Sequence, residues 1–170
     1  MKIQKTLILT LLLTLSCLAS AQIKIPGTSY SFTFPNNDWR YLETTTVDKN
    51  TNVYLYCYSG HYVVSSTGDT TLPYMRIYVR KHFTGSIYDL IYQRSLTQPF
   101  QSLDEYTYDD GSMCYLGAYT SPSDKKDYEF RMVYIKEKNT MIEIRLETLL
   151  DTYDEFDEMF LSILNSIKAN

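Results

Sequence analysis

Histidine is scarce in this sequence. Only His61 and His82 are present among 170 residues, although histidine performs much of the acid–base catalysis known at neutral pH. A metal site would need help from residues such as Asp48 or Asp69, and these stand at no recognised ligand spacing from either histidine. We therefore expect neither a histidine-based active site nor a metal site.

The sequence also lacks catalytic motifs. It contains no G-x-S-x-G elbow, H-E-x-x-H, P-loop or dinucleotide-binding glycine pattern. The adjacent acids at 104–105 and 109–110 do not suit a glycosidase, because neighbours on a strand point to opposite faces. The acidic cluster at 151–158 lacks the ligand order of a calcium loop and fits the solvated start of a helix. We therefore expect no enzyme and no cofactor.

Long apolar runs are confined to the beginning of the chain. Lys2 and Lys5 precede LILTLLLTLSCL, and Ala19, Ser20 and Ala21 follow it, in the order of a secretory signal peptide. This order predicts a signal peptide over residues 1 to 21 and a periplasmic or secreted protein over residues 22 to 170. Lipidation of Cys17, which would anchor the protein to a membrane, is the alternative. No later run reaches the roughly 18 apolar residues of a membrane span.

Positive charge is in the minority. The chain has 16 Lys and Arg against 20 Asp and Glu, a net charge of -4, and removal of Lys2 and Lys5 would lower it to -4 - 2 = -6. Phosphate backbones are held by clustered Lys and Arg, so we expect no nucleic-acid partner. Residues 22 to 170 suffice for a single globular domain with one core.

Two cysteines, Cys57 and Cys114, follow the predicted signal peptide. Each alternates with apolar neighbours in an expected strand. An exported protein can form disulfides, but buried thiols are also common, and a bridge requires Cα atoms within about 7 Å. Both a disulfide between Cys57 and Cys114 and two buried thiols therefore remain open.

Alternating apolar and polar residues are abundant and predict an antiparallel sheet of six or seven strands. The signal is clean in residues 141 to 147, where Ile142, Ile144 and Leu146 are expected to face the core and Glu143, Arg145 and Glu147 to face solvent. Residues 60 to 71 are expected to form a polar loop, and 109 to 111 (DDG) a hairpin turn. The other predicted strands cover residues 29–34, 39–46, 52–59, 74–80, 105–108 and 113–120.

Two helices are predicted between and after these strands, which makes the fold class α+β. The first begins at Ser86, with Asp89 completing a capping box, and ends before Pro99. The second begins near residues 151 and 152, where Glu155 is expected to complete a second capping box. Leu161 lies outside the apolar stripe of this helix, which comprises Tyr153, Phe156, Met159, Phe160, Ile163, Leu164 and Ile167.

Tyrosine is unusually frequent, with 17 residues against one tryptophan. The stretches NVYLYCYS (52–59) and YMRIYVR (74–80) place tyrosines and arginines at every second position, an arrangement that can stack on a sugar or another flat ligand. A second buried sheet face beneath a helix is favoured over an open platform, because so many exposed rings exceed the patch that monomers tolerate. The candidate binding residues are Tyr54, Tyr56, Tyr58, Tyr74, Arg76, Tyr78 and Arg80.

Two motifs resemble the PsbP-like family, which includes an extrinsic subunit of photosystem II. The first is SFTFP (31–35) followed by Trp39, and the second is EMFLSILNSIK (158–168). The similarity extends over about residues 29 to 168. It implies an α/β/α sandwich of an antiparallel sheet between helices, with a non-catalytic role in binding or assembly. It assigns no binding residues.

We therefore expect an exported, non-enzymatic binding or assembly domain of the cell envelope. Its partner would be an envelope or secreted protein, or a small ligand, bound at sheet-edge loops or at the tyrosine-rich face. The alternatives are a hydrolase with an unrecognised site and a carrier that holds a small apolar ligand between sheet and helix.

Overall fold

The structure is a computed structural model that describes residues 21–59, 62–107 and 112–170. Residues 1 to 20 of the predicted signal peptide, including Cys17, lie outside the described residues, as do His61 and the predicted turn at 109–111. No helix in the described ranges combines the length and apolar character of a membrane span.

The main element is a seven-stranded sheet in which every neighbouring pair is antiparallel. In chain order the elements are β1 (Ile23–Lys24), β2 (Tyr30–Phe32), β3 (Trp39–Asp48), β4 (Thr51–Tyr58), β5 (Val63–Val64), β6 (Thr70–Thr71), β7 (Tyr74–Arg80), α1 (Ile87–Thr97), β8 (Phe100–Thr107), β9 (Met113–Thr120), β10 (Asp127–Glu137), β11 (Thr140–Leu149), a 3₁₀ helix (Leu150–Glu155), α2 (Asp157–Asn165) and β12 (Lys168–Ala169). The order in the main sheet is β3-β4-β7-β11-β10-β9-β8. The predicted α+β class and antiparallel sheet are confirmed.

Both faces of the sheet are covered. On one, the α2 face, Met75, Ile77 and Val79 pack with α2, the 3₁₀ helix and a small sheet formed by β1, β2 and β12. On the other, the α1 face, Tyr134 and Met132 pack beneath α1. The first predicted strand therefore contributes β2 to the small sheet and does not join the main one.

Helix α1 begins as predicted. The Asp89 backbone N–H donates to the Ser86 hydroxyl (3.1 Å), and the Ser86 N–H donates to the Asp89 carboxylate (2.8 Å), which completes the capping box. The helix ends at Thr97, before Pro99. None of its residues is fully buried. Helix α1 is therefore a thin cover over the sheet, and its partly buried residues Ile87, Leu90 and Ile91 pack against the core of this face.

The second predicted capping box is wrong. Residues 150 to 155 form a 3₁₀ helix, and α2 begins at Asp157 with no side-chain cap. Thr152 is buried, and its hydroxyl donates to the Leu149 carbonyl (3.0 Å), in a position where it caps neither helix. The predicted apolar stripe is nevertheless confirmed, because all seven of its residues are buried or packed against the α2-face core.

The interpretation of β11 as a half-exposed strand is also wrong. Glu143, Arg145 and Glu147, predicted to face solvent, are 0, 1 and 0% exposed. The physical reason is topological: β11 is the fourth of seven strands, and both of its faces are covered. Two further differences are that β8 begins at Phe100, five residues before the predicted strand, and that the predicted polar loop contains the short strands β5 and β6.

Of the two alternatives left open for Cys57 and Cys114, the bridge is not formed, and Cys57 is a thiol. Cys57 pairs with Tyr74 on the α1 face, whereas Cys114 belongs to the core of the α2 face. Their strands are four positions apart in the sheet, which at about 4.8 Å per strand is roughly 19 Å and far beyond bonding distance. Burial raises the pKa of the Cys57 thiol, which favours its neutral form.

Candidate binding surfaces

The tyrosines of β4 lie on the α2 face. Tyr54 pairs with Ile77 and Tyr56 with Met75 across the β4–β7 register, and paired residues share a face. The buried Tyr56 ring makes edge-on contacts with Phe32 (5.8 Å between ring centres) and Phe34 (5.5 Å). Tyr58 and Tyr54 are partly buried against the same core. Tyr56 therefore packs inside the domain, and Tyr54 and Tyr58 pack against its core.

The predicted residues of β7 lie on the opposite face. Tyr74, Arg76 and Tyr78 pair with Cys57, Leu55 and Val53. Within this set, the Arg76 guanidinium stacks on Tyr74 (4.5 Å to the ring centre) and the Arg80 guanidinium stacks on Tyr78 (4.8 Å). The structure thus divides the seven candidate residues into two sets, three on the α2 face and four on the α1 face.

A network of charged side chains lies between β7, β11 and α1. Glu143 contacts Arg80 (Nη2 to Oε2, 2.9 Å) and Arg94 of α1. Glu147 contacts Arg76 (Nη1 to Oε1, 3.1 Å) and Arg145 (Nε to Oε2, 2.5 Å). Four arginines and two glutamates give the network a formal charge of +2.

The centre of this network is Arg145. Its guanidinium lies over the rings of Tyr119 (4.8 Å) and Phe130 (4.3 Å) and donates to the Gln98 side-chain oxygen (2.9 Å). Burial, together with repulsion from Arg94, lowers the pKa of Arg145 to about 10. Burial raises the pKa of Glu147, whereas the guanidinium groups beside it favour its charged form. The network thereby ties α1 and its C-terminal cap to the sheet.

The sequence indicates only two of the six members of this network. Arg76 and Arg80 are candidate residues, but Glu143, Arg145 and Glu147 are expected to face solvent, and no pattern marks Arg94. The signal in the sequence is a long apolar strand in which Glu143, Arg145 and Glu147, charges of alternating sign, stand at every second position. In the β7–β11 register Arg76 stands opposite Arg145 and Arg80 opposite Met141, and each of these β7 arginines reaches a glutamate on the diagonal, Glu147 and Glu143 respectively.

The most exposed strand of the main sheet is β3. Nine of its ten residues are exposed, and Trp39 is the buried one. Tyr41, Leu42 and Val47 are 54, 53 and 62% exposed. The strand pairs with β4 on one side and forms the edge of the sheet on the other, with register shifts at Leu42 and Val47. We call this edge, with its three apolar side chains, the β3 surface.

Other surface features are a helix stripe and two grooves. Tyr88, Tyr92 and Leu96 are each 61% exposed along the outer side of α1. A groove of about 370 Å³ lies beside Leu161, the leucine outside the α2 stripe, and is lined mainly by apolar groups. A second groove, of about 440 Å³, lies among three turns at the end of β7. Within the described ranges, no three His, Cys, Asp or Glu residues are placed to hold a metal ion.

Comparison with known proteins supports the fold. No protein-family model matches the sequence, and no curated protein matches it. The solution structure of cyanobacterial PsbP (CyanoP) from Synechocystis sp. PCC 6803 superposes with a TM-score of 0.62 at 14% identity, covering 90% of this chain and 94% of that one. The chain has the PsbP-like fold.

Two further structures share this fold. The Saccharomyces cerevisiae Ran-binding protein Mog1p gives a TM-score of 0.56 at 12% identity over 89% of this chain and 96% of that one. A protein from Bacteroides thetaiotaomicron VPI-5482 gives 0.51 at 14% identity, over 89% of this chain and 48% of that one. At these identities the similarity concerns the fold, and the resemblance found in SFTFP and EMFLSILNSIK is confirmed at that level.

Proposed function

We propose that this protein is an exported, non-catalytic domain of the cell envelope that binds another protein through the β3 surface. The observation that carries the proposal is the exposure of nine of the ten β3 residues at a sheet edge. An edge strand presents unpaired N–H and C=O groups on which an extended segment of a partner can add a further strand.

The two edges of the main sheet differ in a way that favours β3. Natural proteins protect edge strands with charged side chains, short length or bulges. Both edges carry exposed charged side chains, Arg40, Glu43 and Asp48 on β3 and Asp104 and Glu105 on β8, but β8 has, among its described residues, one large exposed apolar side chain, Tyr106. β3 has three such side chains, and its bulges at Leu42 and Val47 restrict which partner strand can pair with it.

The stripe on α1 is a weaker candidate. Tyr88, Tyr92 and Leu96 are as exposed as Val47, but the backbone groups inside a helix are already paired with one another. A partner on α1 would gain side-chain contacts alone, whereas a partner on β3 gains side-chain contacts and main-chain hydrogen bonds. The fold is compatible with a protein partner, since Mog1p, which shares it, is a Ran-binding protein.

Site-specific photo-crosslinking in the native host tests the proposal. A photoreactive phenylalanine analogue at Val47 is expected to give one discrete adduct to another protein. The same analogue at Tyr92 on α1 or Tyr106 on β8, which are similarly exposed, is expected to give none. Changing Tyr41 and Leu42 to Ser should remove the adduct formed from position 47. Adducts of equal yield from all three positions, or none from position 47, would refute the role of β3.

Export is tested separately by the intact mass of the protein recovered from the envelope. Cleavage after Ala21 leaves a chain that begins at Gln22. Lipidation would instead leave a heavier chain that begins at Cys17. A full-length chain found in the cytoplasm would contradict export without bearing on the β3 surface.

A further inference from the structure

Three turns meet at the end of β7 and enclose the groove of about 440 Å³. They are the β1–β2 turn with Gly27, the turn after β7 with Lys81 and His82, and the β10–β11 turn with Lys138. Hydrogen bonds donated by backbone N–H groups hold the turns together. The Ser29 N–H donates to both oxygens of the Glu137 carboxylate (3.1 and 3.2 Å), and the Phe83 N–H donates to the Asn139 carbonyl (2.8 Å). The groove is therefore already formed in the folded domain.

The backbone is strained at two of these turns. His82 (φ 56°) and Lys138 (φ 53°) occupy the left-handed region, where the Cβ of an L-residue crowds the following carbonyl. Glycine is the usual residue at such a position of a tight hairpin. Residues held in unfavourable backbone conformations concentrate at functional sites. At Lys138 the chain therefore keeps a cationic side chain where glycine would fit without strain.

Three of the eight residues that line the groove are basic, Lys81, His82 and Lys138, and one, Glu137, is acidic. The Lys81 chain lies against Gly27, with its Cε and Nζ 3.5 and 3.8 Å from where a Cβ on Gly27 would stand. Among the described residues, Lys81, His82 and Lys138 form no ion pair. Glu137, an acid in the lining, is already bonded to the Ser29 backbone. This basic site stands out in a chain whose net charge is -4.

We propose that this three-turn groove binds the phosphate group of a small phosphate ester. Lysine ammonium groups act as point charges that bind phosphate in many proteins. Lys81 and Lys138 line the groove from two different turns, and we expect one phosphate group to pair with both. The Asn139 amide and the Thr140 hydroxyl also line the groove and supply neutral hydrogen-bond donors. This inference does not depend on the β3 proposal.

The test compares two lysine-to-glycine variants. Lys138→Gly removes the cation and relieves the strain. Lys125→Gly is the matched control, because Lys125 also has a left-handed backbone (φ 62°) but lies outside this groove. Both variants are expected to melt at a higher temperature than the parent protein, which shows that both are folded. Only Lys138→Gly should lose the phosphate ligand.

Binding is measured on residues 22 to 170 by amide chemical shifts during titration with inorganic phosphate and with glycerol 3-phosphate, against sodium chloride at matched ionic strength. We expect saturable shifts at Gly27, His82 and Asn139, an affinity about tenfold weaker in Lys138→Gly, and no change in Lys125→Gly. Phosphatidylglycerol vesicles test whether the bound phosphate group belongs to a lipid. Vesicle binding by the parent protein that is lost in Lys138→Gly would identify a lipid headgroup as the ligand. The absence of saturable shifts with every probe, or an unchanged affinity in Lys138→Gly, would overturn the proposal.

Discussion

The substitution Glu143→Gln tests the role of the charged network beneath α1. Glu143 is fully buried and contacts Arg80 of β7 and Arg94 of α1. Replacing its carboxylate with an amide leaves four arginines and one glutamate, so that the network charge rises from +2 to +3. Two guanidinium groups then lose the anion between them, and the attachment of α1 to the sheet is weakened.

The size of the expected loss of stability follows from the burial of Arg80 and Arg94, the partners of Glu143. Removing one member of a buried ion pair destabilises a protein by about 3 to 5 kcal/mol. The side chains of Arg80 and Arg94 are 17 and 13% exposed, so both can recover some hydration, which places the expected loss at about 3 kcal/mol. For a domain of this size, that loss corresponds to a fall in Tm of about 6 to 12 °C.

Urea unfolding measures the change in the free energy of unfolding, and amide hydrogen exchange shows which part of the protein is destabilised. The amides of α1 should exchange faster in Glu143→Gln, because Arg94 is the residue through which the helix reaches the network. Glu43→Gln on β3 is the matched control; Glu43 is exposed, and the expected change is within about 0.5 kcal/mol. A loss below about 1 kcal/mol for Glu143→Gln, with unchanged exchange in α1, would show that the network does not hold the helix.

Three other substitutions alter single local contacts and should change stability by smaller amounts. The Arg131 guanidinium lowers the pKa of Asp157 below its ordinary value of 3.8. This ion pair therefore stabilises the protein above pH 3.8, and its contribution is lost as the pH falls through the folded-state pKa. In urea unfolding, Asp157→Asn should lower the free energy of unfolding by about 1 kcal/mol at neutral pH, and the difference from the parent protein should become smaller in acid. Gly117→Ala places a Cβ 2.7 Å from both Phe130 Cζ and the Ser102 carbonyl, and thermal unfolding should show a cost of about 1 to 3 kcal/mol. Ser86→Ala removes the α1 cap, and unfolding should show a cost of about 1 kcal/mol with faster exchange in the first helical turn.

The sequence predicted the elements of the fold better than their arrangement. The capping box at Ser86 and the alternation in β7 depend on neighbours a few residues away, and both proved correct. The orientation of β11 depends on its position in the sheet, which no local pattern contains. The same limit applies to Thr152, whose neighbours in sequence suggested a cap but whose hydroxyl bonds to Leu149 inside the domain.

The candidate site illustrates this limit most directly. Alternation within a strand shows which residues share a face, so Tyr54, Tyr56 and Tyr58 were grouped correctly, as were Tyr74 and Arg76. Whether two strands present their tyrosines on the same face depends on their register, and a shift of one residue reverses the answer. Here Tyr54 faces Ile77 and not Tyr78, which separates the two groups.

The tyrosines buried on the α1 face have a physical explanation. On this face a single helix of eleven residues, none fully buried, packs on a seven-stranded sheet. Tyrosine suits such a thin cover, because its ring packs against the core while its hydroxyl reaches a carboxylate nearer the margin. The hydroxyls of Tyr115 and Tyr128 donate to Glu105 and Asp124, each at 2.8 Å, and burial raises the pKa of both tyrosines. The cover of a wide sheet by a short helix therefore accounts for these buried tyrosines without a stacked ligand.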